Sequence, residues 1–215
     1  MRRLLIVLAI PLLLLVGADV GLRLVAQSLL GRELATSLSL SERPKVSLHG
    51  FPFLLHLAKG TFPTASATGS GLRARGVTFQ SFQLTLDDVA FSPAKLVSGS
   101  AATIGAASGR GIATVTGEQA TAALKEQGID VTVAFIGGQV RLRSPLIPVE
   151  VAGDLTLAAS GTRLDFRPSD ARLPVTVSVP LPAFVQGARF TDVRVVGSTA
   201  VLSFTLDQPS FQIGG

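Results

Sequence analysis

Through most of this chain, apolar and polar side chains alternate with a period of two, the pattern of strands that bury one face and wet the other. Ile129, Val131, Val133 and Phe135 share one face of a predicted strand, with Asp130 and Thr132 on the other. Gly137-Gly138 then supplies a two-residue turn, and Val140 and Leu142 return opposite Arg141 and Arg143, which predicts a β-hairpin. Leu155 and Leu157, Leu164 and Phe166, and Val175, Val177, Val179 and Leu181 continue the alternation. Between Val77 and Leu86 the phase slips: Val77 and Phe79 are followed by Phe82, Leu84 and Leu86. Such a slip predicts a bulge, and hence a bent or strongly twisted strand. Pro168, Pro174, Pro180 and Pro182 bound the later strands and place them at edges or corners. The small-residue segment from Ser98 to Gly111 reads as a loop or a thin strand.

Two stretches follow a helical period instead. Leu22, Val25, Leu29 and Leu34 form one stripe, with Arg23, Gln27 and Arg32 elsewhere, so the stripe is expected to pack on the body, with Asp19 as a candidate cap of that helix. Thr116-Gly117-Glu118-Gln119 is a capping box; Ala120, Ala123 and Leu124 follow at helical spacing, and Gly128 sits where a left-handed C-terminal residue is needed. No helix follows each strand, which argues against a parallel βαβ architecture. The expected fold is α+β and β-rich: a long, curved antiparallel sheet wrapped around one or two helices, preceded by an N-terminal signal or anchor helix.

That leader is written in the first residues. Met1-Arg2-Arg3 precedes an apolar run from Leu4 to Val16 broken only by Pro11, and Val16-Gly17-Ala18 offers small residues to a signal peptidase. As a helix the run spans about 20 Å, short of the roughly 30 Å hydrocarbon core. The expected division is therefore residues 1–18 as signal peptide or membrane anchor and 19–215 as a single domain. The anchor alternative continues through Val20, Leu22, Leu24 and Val25. In either case the arginine pair keeps the amino terminus cytoplasmic and the body outside, in the cell envelope or periplasmic space, secreted or anchored.

Composition narrows the chemistry. With 47% hydrophobic and 15% charged residues the chain is not intrinsically disordered, and with no Cys it has no disulfide or thiol chemistry. Trp and Tyr are also absent, so all twelve aromatic residues are Phe, which argues against a carbohydrate platform and weakens a nucleic-acid stacking surface. The formal charge is +5, and discounting Arg2 and Arg3 leaves 17 basic against 14 acidic residues, or +3. These cations are spread singly, unlike a nucleic-acid interface. Near an apolar opening, Arg73, Arg75, Arg141 and Arg143 are candidate contacts for anionic lipid headgroups.

Catalytic patterns are scarce. His49 and His56 have no neighbouring ligand set, and Asp87-Asp88 point to opposite faces of a strand, which suits a turn or cap better than paired acid–base work. No nucleophile elbow or Walker-type loop is present, and Gly109-Arg110-Gly111 lacks the third glycine of a dinucleotide fingerprint. The reading is non-enzymatic, with no metal or cofactor; a rival hydrolase would have to use His49, His56 or Asp87.

The segment from Lys45 to Phe62 carries the sharpest signal. Gly50 and Pro52 stiffen a kink, while Phe51, Phe53, Leu54, Leu55 and Leu57 project apolar bulk from a short span, before Lys59 and Gly60 reset the chain into the next strand. Such residues either seal one end of a core or line a cleft for acyl chains. The string His49-Gly50-Phe51-Pro52-Phe53-Leu54, with Gly60 and Phe62 following an exported leader and an amphipathic helix, resembles the LmeA-type phospholipid-binding family of actinobacterial cell-envelope proteins. The Thr116-to-Gln127 helix and Val179-Pro180-Leu181-Pro182, followed by Val193 and Val195, are similar in order and spacing, so the resemblance spans most of residues 20 to 213.

The resemblance implies a tubular lipid-binding fold like that of bactericidal/permeability-increasing proteins. It also implies phospholipid or phosphoinositide binding and a role in envelope glycolipid or mannan assembly, with no catalytic residues to transfer. Phe51, Pro52, Phe53, Leu54, Leu57 and Phe62 are the candidate groove residues. The expected function is lipid binding or transfer at a membrane surface, without nucleic acid and with protein partners undefined. The alternative is a membrane-tethered, non-catalytic scaffold of the envelope.

Overall fold

The computed structural model describes residues 2–37, 40, 42–74, 76–98, 102–145, 150–170, 176–181 and 187–213, with backbone alone for 2–14, 37, 74, 96–97, 102 and 213. Within these the chain forms two antiparallel sheets and four helices. The first sheet contains β1 (Lys45–His49), β2 (Thr61–Ala74), β3 (Val77–Ala90), β4 (Ala102–Thr116), β10 (Ala188–Val196), β11 (Thr199–Asp207) and β12 (Ser210–Ile213). Its order is β1-β2-β3-β4-β11-β10, with β12 continuing beside β4. The second is a five-stranded meander of β5 (Thr132–Ile136), β6 (Gln139–Arg143), β7 (Glu150–Leu157), β8 (Arg163–Pro168) and β9 (Val177–Pro180). The antiparallel, β-rich architecture is the expected one, divided into two sheets where one long sheet was anticipated.

The helices are α1 (Arg2–Ser37), α2 (Phe53–Lys59), α3 (Pro93–Val97) and α4 (Gly117–Glu126). At 1.5 Å per residue α1 is about 54 Å long. Among the described residues no helix is long and apolar enough to cross a membrane. Helix α4 is built as its sequence dictates. Thr116 Oγ1 accepts from the Gln119 N–H at 3.2 Å, the Gln119 side chain accepts from the Thr116 N–H at 3.1 Å, and Gly128 is left-handed with φ 80°. The Gly137-Gly138 hairpin also forms, with both glycines at positive φ of 61° and 83°, as a two-residue turn of this hand requires.

Helix α1 departs from expectation. Leu22, Val25 and Leu29, expected against the body, are 46%, 59% and 58% exposed. Of that stripe Leu34 does pack on the body, where it is joined by Asp19, Ala26, Leu30 and Gly31. Gly31 lies so close to the chain that a Cβ there would be 2.8 Å from the Pro44 carbonyl. Packing therefore selected the narrow small-residue side of α1, not its bulkiest apolar stripe. Nor does Asp19 cap its own helix, because α1 runs through it without a break.

The phase slip near Val77–Leu86 is real, as Phe79 and Phe82 are both buried. Its cause differs from the predicted bulge. Pairing steps from Ser70↔Ser81 to Leu72↔Phe79, passing over Gly71 and Gln80, so each strand skips one residue and the register is kept. Gly71 absorbs the change with φ 70°. The register shift proper lies in β10, between Phe190 and Asp192. The segment expected as loop or thin strand is, from Ala102 onward, the central strand β4.

Candidate functional site

Cross-strand register sorts the seven-stranded sheet into two faces of opposite chemistry, since paired residues point the same way and neighbours along a strand point oppositely. One row of partners runs Val46–Ala67–Leu84–Gly111–Phe204–Phe190 across β1, β2, β3, β4, β11 and β10. Two residues along, a second row runs Leu48–Ala65–Leu86–Gly109–Leu206–Ala188. Every member is apolar. The row between them, Ser47–Ser66–Thr85–Arg110–Thr205–Arg189, is wholly polar and lies on the other face. At about 4.8 Å per strand the apolar face is roughly 24 Å wide.

Only part of that face is covered. Phe204, Leu206, Phe190 and Leu48 are buried, whereas Val46, Ala65, Leu84, Leu86 and Ala188 are half-buried. Leu34 of α1, Leu40, Leu157 and Leu164 of the second sheet, and Leu181 just after it pack against it. The small residues of β4 make room for their neighbours. A Cβ on Gly111 would lie 2.3 Å from Phe204 Cζ, and one on Gly109 would lie 2.9 Å from Leu86 Cδ2. Phe204, Leu206 and Leu86 thus lie across the β4 backbone, and a larger residue there would lift them off.

At one end the apolar face turns a corner. Pairing of β2 with β3 passes over Pro63 and Asp88, and pairing of β3 with β4 passes over Asp88 and Ala107. Asp88 and, beyond the same line, Gln208 have positive φ of 52° and 43°. Past this line the buried positions change phase together. Phe62, Val89 and Ala106 become buried and join Leu48 and Phe53 in one cluster, against which Ala65 and Leu86 of the apolar face still pack. The bend keeps the same apolar surface inside as the sheet curves. Asp88 thus acts at a bend in the strand, while Asp87 holds Arg110 on the polar face at 2.9 Å.

The Phe51–Phe62 segment closes this corner and splits the candidate residues into two groups. Phe53 is fully buried, and its ring stacks on Phe62 at 5.3 Å, which in turn stacks on Phe91 at 5.7 Å. Leu57 is half-buried against the same cluster, and Leu54 is half-buried. Phe51 is 72% exposed, Pro52 is exposed, and Leu55 is 48% exposed. Phe53 and Phe62 are therefore the plug of the corner, and Phe51 is its outer tip.

What holds α2 in place was not legible from local sequence. Its N-cap is Pro52, whose side chain offers no acceptor. Asp19, 34 residues earlier and 5% exposed, supplies both: its Oδ2 accepts from the Phe53 N–H at 2.9 Å and its Oδ1 from the Leu54 N–H at 2.8 Å. A carboxylate at a helix start satisfies otherwise orphaned donors and the positive end of the helix dipole. The only forewarning in the sequence is a helix beginning after Pro with no acceptor of its own. At the other end Gly60 terminates α2 at φ 70°, where a Cβ would lie 2.3 Å from the Phe91 carbonyl.

His56 is bound into the corner: its Nδ1 lies 3.1 Å from the Thr61 carbonyl, its ring stacks on Phe62 at 5.9 Å, and Gly50 packs against it. His56, Thr61, Phe62, Pro63, Asp88 and Val89 line an open pocket of about 280 Å³ at the bend. That is just under the roughly 300–1,000 Å³ of pockets that enclose a drug-sized ligand, so it does not hold a two-tailed lipid by itself.

The arginines are not gathered at this corner. Arg73 is exposed near the far end of β2, eleven residues and roughly 36 Å along the strand from Phe62. Arg141 and Arg143 sit on β6 in the second sheet, where Arg141 Nη1 bonds Glu150 Oε1 at 2.8 Å. Arg75 lies outside the described residues.

A family model described as LmeA-like phospholipid-binding matches residues 17–209, about nine-tenths of the chain. No curated protein and no solved structure matches it.

Proposed function

The chain belongs to the LmeA-like phospholipid-binding family, and on that premise we propose that it is a non-catalytic, extracytoplasmic carrier whose acyl-chain site is the apolar face of the seven-stranded sheet. The observation that carries this reading is the pair of unbroken apolar rows six strands wide, backed by a polar row, with Leu84, Leu86 and Val46 only half-covered. Burying an acyl chain is worth roughly 0.8 kcal/mol per methylene, so a sixteen-carbon tail needs a surface that returns about 12 kcal/mol. Phenylalanine, leucine and valine suit that surface because none carries a polar group that would lose a partner under a lipid tail. The leader in residues 1–18 supports export, and service in envelope glycolipid or mannan assembly is the role this reading assigns.

The test exploits neighbours on opposite faces. Full-length chain is purified without detergent from a membrane-containing host and examined by native mass spectrometry and fluorescent-phospholipid uptake. Co-purified phospholipid is expected, retained by Thr85→Asp on the polar face and lost in Leu84→Asp on the apolar face, with circular dichroism confirming that both fold. Repeated absence of lipid together with absent uptake overturns the reading.

A further inference from the structure

Helix α1 is apolar on sides that the body leaves uncovered: Val20, Leu24, Val25 and Leu29 are 51%, 62%, 59% and 58% exposed. A helix that is apolar all round belongs in a protein core or in a bilayer. Between residues 4 and 26 its only charged residues are Asp19 and Arg23, and Asp19 is buried on α2. Polar residues set in only from Gln27 and Ser28, about 12 Å further along the axis than Asp19.

The Asp19 contact fixes where α2 stands against this gradient. The Phe53 and Leu54 amides are level with residue 19, so exposed Phe51 and Leu55 lie beside the apolar half of α1 and not beside its polar end. Exposed Lys59, in the last turn of α2, and Arg23 add positive charge suited to anionic headgroups.

We propose that this corner docks on an anionic bilayer. Phe51 and Leu55 enter the boundary between headgroups and acyl chains beside α1, which sets the plugged, bent end of the apolar face against the membrane that supplies its lipid. The continuity of α1 with the Leu4–Val16 run behind Arg2-Arg3 selects a membrane over a protein partner as the occupant. This rests on the phospholipid reading but is tested separately from it.

The chain contains no Trp or Tyr, so Phe51→Trp introduces a single indole reporter. Full-length Phe51→Trp is mixed with vesicles of phosphatidylcholine and phosphatidylglycerol, with and without acyl-brominated lipid. Its emission is expected to shift to shorter wavelength and to be quenched by the bromines, while Ile112→Trp on the polar face shows neither change. The double variant Phe51→Asp, Leu55→Asp is expected to slow vesicle-to-vesicle phospholipid transfer by roughly tenfold or more, while soluble-lipid uptake persists. An unquenched Phe51→Trp in a chain that still takes up phospholipid overturns the docking and leaves the carrier intact. A concentration-dependent blue shift without vesicles, marking a second copy on this face, also overturns it. Quenching without lipid uptake supports the docking and overturns the carrier.

Discussion

Helices α2 and α4 close opposite ends of the seven-stranded sheet, yet one carries its own cap and the other takes it from a distant helix. In α4 the donors exposed at the first turn are satisfied by Thr116 and Gln119 within four residues of chain. In α2 the corresponding donors are satisfied by Asp19, so the helix is held only when α1 is packed against it. The ends also bury different bulk: α4 contributes Ala123, whereas α2 drives Phe53 wholly into the core. One end is thus locally specified and lightly packed. The other depends on tertiary contact and is tied to the helix that leads toward the amino terminus.

The sharpest way to break this comparison is at Phe53. Phe53→Ala is expected to cost about 3–5 kcal/mol in urea unfolding through the cavity it leaves, whereas Phe51→Ala, two residues away, stays within about 0.5 kcal/mol. Equal costs would mean that inside and outside of the corner have been confused. Asp19→Ala comes next, at roughly 2–4 kcal/mol, because one buried and one half-buried amide lose a charged acceptor. Hydrogen exchange should quicken at Phe53 and Leu54 and not in α4; uniform quickening would show that Asp19 supports the whole fold and not one helix start. Thr116→Ala is the smallest, at about 1 kcal/mol, with faster exchange at Gln119 and none at Phe53. A change at α2 in that variant would remove the independence of the two ends.

The same contrast explains what could be read from the chain in advance. The α4 box and the Gly137-Gly138 hairpin are encoded within a few residues and form as written, whereas the alternating strand before that turn starts only at Thr132 and leaves Ile129 and Val131 outside it. Phase slips were visible too, but a slip cannot reveal whether one strand inserts a residue or two strands each skip one; Gly71 and Gln80 take the second course. The α1 stripe misled because its largest apolar residues marked the exposed side, and only the partner surface makes Gly31 and Asp19 the contacts. The apolar string marked this corner without separating Phe53, its plug, from Phe51, its tip. The six-strand rows depend on β1 meeting β2 and on β4 meeting β11, pairings that no local pattern contains.

The central claim, that lipid tails lie on the face defined by those rows, is open to direct mapping. A phospholipid with a photoactivatable group near the end of one acyl chain is loaded into the full-length chain, irradiated, and the modified peptides sequenced by mass spectrometry. Labelling is predicted at Val46, Leu84, Leu86 and their row partners, and not at Ser66, Thr85 or Thr205. Labels concentrated on the polar row, or none above that of a non-binding control protein, would contradict the account.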